Sequence, residues 1–261
     1  MDLHLEDKVV LITGGSDGLG AALVRLLRSE GALVAFCGRN EERIAALAAD
    51  VAGSDGGHGV IGMRADVTQQ ADLEAFVNAA VERWGRIDGL VSNAGQSSAL
   101  PFDQQTEVTW DNDLNLKLRA QIKLTRLALP HLRASGGGSI LNILAISGKA
   151  PGAGSAPTSV TRAAGMALSK ALSKELGPDN IRVNSIMIGL VESGQWDRRA
   201  AATGVAIDDL YKRMGEAGNI PLGRVGFSSE FADLAAFMLS DRSAYISGTA
   251  INFDGGASPT S

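Results

Sequence analysis

Residues 8 to 20 read "KVVLITGGSDGLG", and the reading of this stretch decides the fold. Val9, Val10, Leu11 and Ile12 form a short, β-branched apolar run closed by Gly14 and Gly15, which predicts a strand followed by a tight turn. "AALVRLLRSEG" (21 to 31) then keeps helical spacing and stops at Gly31. A glycine cluster by itself marks only a turn. Between a strand and a helix it lets the backbone approach a pyrophosphate, whose charge the helix N-terminus favours. Gly14, Ser16, Asp17, Gly18, Leu19 and Gly20 are therefore candidate dinucleotide-binding residues.

The same alternation continues outward. "ALVAFCG" (32 to 38) precedes "NEERIAALAADV" (40 to 51), "GVIGMRA" (59 to 65) precedes "QADLEAFVNAAVERWG" (70 to 85), and "DGLVSNAG", "GSILNILA" and "IRVNSIMIG" follow. Strands alternating with helices predict right-handed crossovers and a doubly wound parallel sheet, an α/β chain in one domain spanning residues 1–261. In "DLNLKLRAQIKL" (113 to 124) the apolar residues alternate as in a strand, yet Trp110, Leu114, Leu118 and Ile122 keep a spacing of four and predict a helix. In "GSAPTSVTRAAGM" (154 to 166), Ser155 and Pro157 are expected as the cap and first turn of a helix that places Thr158 and Arg162 on one face.

The chain has 261 residues, 45% of them apolar, enough for one sizeable core. A formal charge of −5 without basic runs argues against nucleic-acid and anionic-membrane partners. Cys37 is the single cysteine, which excludes an intramolecular disulfide, and the scattered His4, His58 and His131 argue against a metal centre. No apolar run approaches the roughly 20 residues of a membrane span, and "MDLHLEDKVV" lacks a cationic head before an apolar core, so a cytoplasmic location is expected.

The second strand ends in "CGRN", where a dinucleotide site offers either a carboxylate to the ribose 2′-hydroxyl or an arginine to a 2′-phosphate. Arg39, followed by Asn40, favours NADP(H), with NAD(H) as the alternative. Asp17 in the glycine loop works against a 2′-phosphate.

The glycine motif, "ADV" (65 to 67), "NAG" (93 to 95), "SILNI" (139 to 143), "ELGPDNIRVNSI" (175 to 186) and "SAYISGTAINFDGG" (243 to 256) resemble, in order and spacing, the short-chain dehydrogenase/reductase family across nearly the whole chain. The resemblance implies a Rossmann fold. It also implies that Asp66 and Val67 hold adenine, that Asn93, Ala94 and Gly95 back the cofactor, and that Gly189, Val191 and Ser193 cover the nicotinamide. Residues 190 to 226 read as a substrate lid, with Trp196, Tyr211 and Met214 as candidate pocket walls for a small-molecule substrate. A homo-oligomer, dimer or tetramer, is implied as well.

The family's reaction depends on a tyrosine, a lysine four residues later, an upstream serine and an asparagine on the preceding helix. These positions here resemble Thr158, Arg162, Ala145 and Lys117, and no register slip supplies a tyrosine, because Tyr211 and Tyr245 are the only two. An alkyl hydroxyl is far less acidic than a phenol, so Thr158 by itself reads as a hydrogen bonder. Arg162, permanently charged, reads as a grip on the cofactor. Lys117 is either solvated or carried into the site, where burial and Arg162 would lower its pKa. Ser147 and Lys149 follow Ala145 as ordinary loop residues. The expected activity is an atypical, tyrosine-independent NAD(P)(H)-dependent oxidoreductase. The alternatives are an inactive NADP(H)-binding sensor or partner subunit, and a lyase or isomerase on the same fold.

Overall fold

The computed structural model describes residues 2–53 and 56–261. Seven parallel strands lie in the order β3-β2-β1-β4-β5-β6-β7. They are β1 (Val9–Thr13), β2 (Leu33–Gly38), β3 (Val60–Arg64), β4 (Gly89–Ser92), β5 (Gly138–Ala145), β6 (Ile181–Ile188) and β7 (Ala250–Phe253). The helices are α1 (Gly18–Ser29), α2 (Glu41–Asp50), α3 (Gln70–Trp84), α4 (Glu107–Asp113), α5 (Ala120–Ala134), α6 (Thr158–Glu175), α7 (Gly194–Thr203), α8 (Ile207–Ala217) and α9 (Ser228–Leu239).

Every residue of β1 is buried, as an apolar strand must be when helices cover both faces of its sheet. On one face Leu23, Val24 and Leu27 of α1 share a core with Phe231 and Ala235 of α9. On the other, Leu73 and Phe76 of α3 share one with Leu124 and Leu132 of α5. The strand order reverses between β1 and β4, and a crevice opens where the connections at their C-terminal ends diverge.

Two local expectations need correction. The helix through residues 107–134 is present, but a π-helical turn, Leu114–Arg119, interrupts it. A wider turn carries extra residues, which breaks the plain spacing of four and turns Lys117 to the buried side. Helix α6 begins at Thr158 with Pro157 at its cap position, and Ser155 does not cap it. The Ser155 hydroxyl instead closes a preceding turn by donating to the Gly152 carbonyl at 2.6 Å.

Candidate active site

The glycine loop is built for close backbone approach. A Cβ on Gly20 would stand 2.2 Å from the Gly14 carbonyl oxygen, so only glycine lets α1 start there. Asn93 braces the loop by donating through Nδ2 to the carbonyls of Thr13 (3.1 Å) and Gly14 (2.9 Å). The Thr13 hydroxyl in return accepts from the amides of Asn93 and Ala94. A groove of about 750 Å³ opens above this junction. Each expected cofactor residue except Gly20 lines it: the glycine loop, Arg39 and Asn40, Asp66 and Val67, Asn93 to Gly95, Arg162, and Gly189, Val191 and Ser193. Gly20 acts one layer beneath.

At the end beside β2 the charges are arranged in a way the sequence does not announce. Asp17 caps α1 through the Gly18 amide (2.9 Å), and its other carboxylate oxygen accepts from Arg43 of α2 and Arg198 of α7, each at 2.7 Å. The carboxylate expected to oppose a 2′-phosphate is thus neutralised twice over. Arg39 is exposed on the groove wall and makes no hydrogen bond or ion pair among the described residues. Asn40 spends its side-chain oxygen on capping α2, accepting from the Arg43 amide at 2.8 Å. Asp66 closes a turn on Thr68, accepting from its amide (2.9 Å) and its hydroxyl (2.8 Å). Partial burial raises the Asp66 pKa, but these two bonds and the charges of Arg39 and Arg64 outweigh it and hold the carboxyl below its usual range.

At the other end lies a buried polar cluster. Lys117 is 5% exposed and Asp113 is 1% exposed, and the two form an ion pair inside the protein. Lys117 Nζ also donates to the Thr158 hydroxyl oxygen at 2.9 Å. The Ser98 amide donates to that same oxygen at 2.9 Å. With both acceptor sites of Thr158 Oγ1 taken, its single proton is left to donate elsewhere. Thr161, one turn on, donates to the second Asp113 oxygen at 2.6 Å. Thr158 lines the groove, whereas Lys117 borders a small cavity behind it, so the hydroxyl stands between the ammonium and the groove.

Burial pushes Lys117 down to about 8. The Asp113 hydrogen bond opposes this, and the charge of Arg162 reinforces it. Arg162 donates through Nη1 to the Ile143 carbonyl at 2.9 Å, and burial pushes it down to about 10. Its Nη2 sits where a Cβ on Gly95 would come within 2.7 Å, so the absence of a side chain there admits the guanidinium to the groove floor. Buried Arg162 Nε and Ser193 Oγ have no partner in the protein. Of the loop residues, Ser147 lines the groove beside Ala145, and Lys149 is tied to Ala250 O and Asn252 Oδ1 at 2.6 and 2.7 Å. Trp196 lines the groove, Tyr211 accepts from the Ser193 amide at 3.4 Å, and Met214 is not on the wall among the described residues.

Sequence reading missed Asp113, Thr161, Arg43 and Arg198. Asp113 and Lys117 do stand four apart, an acid–base spacing that was there to be noticed.

The sequence pattern of the family described as Enoyl-(Acyl carrier protein) reductase matches residues 14–258. A 3-oxoacyl-[acyl-carrier-protein] reductase of Thermotoga maritima is 31% identical over 257 residues, covering 97% of this chain and 99% of the relative. Among solved structures, an NADPH-bound short chain oxidoreductase from Pseudomonas aeruginosa PAO1, described as containing an atypical catalytic center, superposes with a TM-score of 0.91 at 34% identity over 98% of this chain and 100% of its own. An L-sorbose reductase from Gluconobacter frateurii in complex with NADPH and L-sorbose gives 0.93 at 30% identity over 100% of both chains.

Proposed function

This chain belongs to the short-chain dehydrogenase/reductase family, and from that premise we propose that it is an NADP(H)-dependent oxidoreductase that reduces a carbonyl or imine of a small organic substrate by a tyrosine-independent mechanism. The residues present fit the cofactor. The glycine cradle and the N-terminus of α1 suit a pyrophosphate, and Arg39 is an uncommitted cation at the adenosine end. Ser193 Oγ, buried without a partner, suits a carboxamide, and the Arg162 guanidinium beside Gly95 suits ribose hydroxyls. The solved neighbours from Pseudomonas aeruginosa and Gluconobacter frateurii hold NADPH.

The observation that carries the mechanism is the hydroxyl of Thr158, held between Lys117 Nζ and the Ser98 amide. A bound nicotinamide supplies the hydride. Thr158 donates its proton to the substrate oxygen or nitrogen as negative charge develops there. In the same movement Lys117 passes a proton to Thr158 Oγ1, so the threonine never exists as a free alkoxide. Asp113 keeps Lys117 aimed, and Thr161 keeps Asp113 aimed. Arg162 adds positive potential beside the reacting oxygen without exchanging protons. A groove complete from glycine loop to relay supports turnover over mere cofactor sensing.

Residues 190 to 226, which include α7 and α8, act as the lid, with Arg198 fastening α7 to the glycine loop through Asp17. The location is cytoplasmic and the active form a homo-oligomer. Consumption of NADPH in the presence of a panel of small ketones, ketoses and imines tests the reading. Substrate-dependent oxidation supports it, and none with any carbonyl or imine refutes it.

A further inference from the structure

Behind the groove, between β4–β5 and helices α5–α6, lies a cavity of about 10 Å³ bordered by Ser92, Lys117, Gln121, Leu124, Ile143 and Arg162. Seven buried side-chain polar atoms among the described residues lack a partner in the protein, and five of them fall in this one layer: Ser92 Oγ, Gln121 Nε2, Thr125 Oγ1, Asn142 Oδ1 and Arg162 Nε. Native interiors pair nearly all such atoms, so such a concentration calls for a common cause. Three of the five line the cavity.

Gln121 is 3% exposed, and its Oε1 lies where a Cβ on Gly165 would come within 3.1 Å, so the glycine leaves room for the amide. Ser92 is the register partner of Asn142, so both side chains rise from the same face of the sheet. The void is the size of one water, which needs two to four polar partners. It is too small for a substrate group.

We propose that this cavity is a binding site for one water, which accepts from Arg162 Nε and Gln121 Nε2 and donates to Ser92 Oγ. Gln121 and Ser92 are then positioning residues for the reaction. Through the water they hold the inner edge of Arg162, whose other edge faces Gly95 and the groove. The charged groups facing Lys117 are Asp113 from its own helix and Arg162 from α6, while β4 and β5 offer only the Ser92 hydroxyl and the Ile143 segment.

The consequence for cofactor binding rests on the proposed oxidoreductase reading, but the site does not, and the experiment separates them. A high-resolution crystal structure of the full chain should show one water within hydrogen-bond distance of Ser92, Gln121 and Arg162. A dry cavity, or an anomalous peak there after bromide exchange, would overturn the proposal. Gln121→Met, close in length and without donors, should weaken NADPH binding about threefold or more, the worth of one lost hydrogen bond behind Arg162, and should add nothing further in an Arg162→Ala background. An unchanged affinity, or an equal loss in the Arg162→Ala background, would equally overturn it. If that variant does not fold, Ser92→Ala is read in the same two ways. Should no substrate turn over at all, the functional reading fails and the crystallographic test of the site still stands.

Discussion

Lys117 Nζ lies 2.9 Å from the Thr158 hydroxyl oxygen, and of the two residues only Thr158 borders the large groove. The ammonium is thus placed to supply protons through the hydroxyl and not directly.

The rate of carbonyl reduction should fall as pH rises through the Lys117 value of about 8, because the relay needs the ammonium form. The reverse oxidation needs the neutral amine and should rise over the same interval. A profile of initial rates from pH 6 to 10, measured in both directions, checks the sign. A reduction rate that climbs through this range would exclude Lys117 as the proton source.

Asp113→Ala should lower stability by about 3–5 kcal/mol in urea denaturation, the usual consequence of leaving one half of a buried ion pair. The pair itself need not stabilise the fold. Asp113→Leu combined with Lys117→Met should recover much of the loss while abolishing reduction. A single variant as stable as the parent would mean that the pair is not buried in solution.

Arg39→Asp should weaken NADPH binding about 10-fold or more and leave NADH binding far less affected, because a charge-assisted hydrogen bond to the 2′-phosphate is lost. Calorimetric titration of both cofactors decides it. Asp17 is already neutralised by Arg43 and Arg198, so it presents no standing obstacle to the phosphate. An unchanged ratio of affinities would remove Arg39 from the site.

Light scattering at micromolar concentration should return the mass of a dimer or tetramer. Phe102, Val108, Val160 and Tyr245 are exposed apolar or aromatic side chains that an oligomer interface would cover. A monomer mass would refute this.

The parallel sheet and the glycine loop were legible in the sequence because their physics is local: β-branched runs, glycines where backbones touch, and helical spacing between them. Thr158, Arg162 and Lys117 could be located by their positions along the family pattern. Their contact could not, because Lys117 and Thr158 are 41 residues apart and the π-helical turn that buries Lys117 leaves only a mixed apolar spacing behind. Thr158 taken alone is too weak an acid to matter; its chemistry comes from a neighbour that only the fold supplies. Arg198 reaches Asp17 across 181 residues, beyond any local signal. Ser155 has the residue type of a helix cap but stands two places too early, and its hydroxyl answers to Gly152 instead.

The proton relay itself is tested most directly by Thr158→Ala, assayed for turnover and titrated with NADPH in parallel. The relay requires turnover to fall by about 10²-fold or more, the usual contribution of a general acid, with cofactor affinity intact and with activity largely kept in Thr158→Ser. Turnover within a few-fold of the parent in Thr158→Ala would overturn the relay and leave the threonine as an ordinary hydrogen bonder on the groove wall.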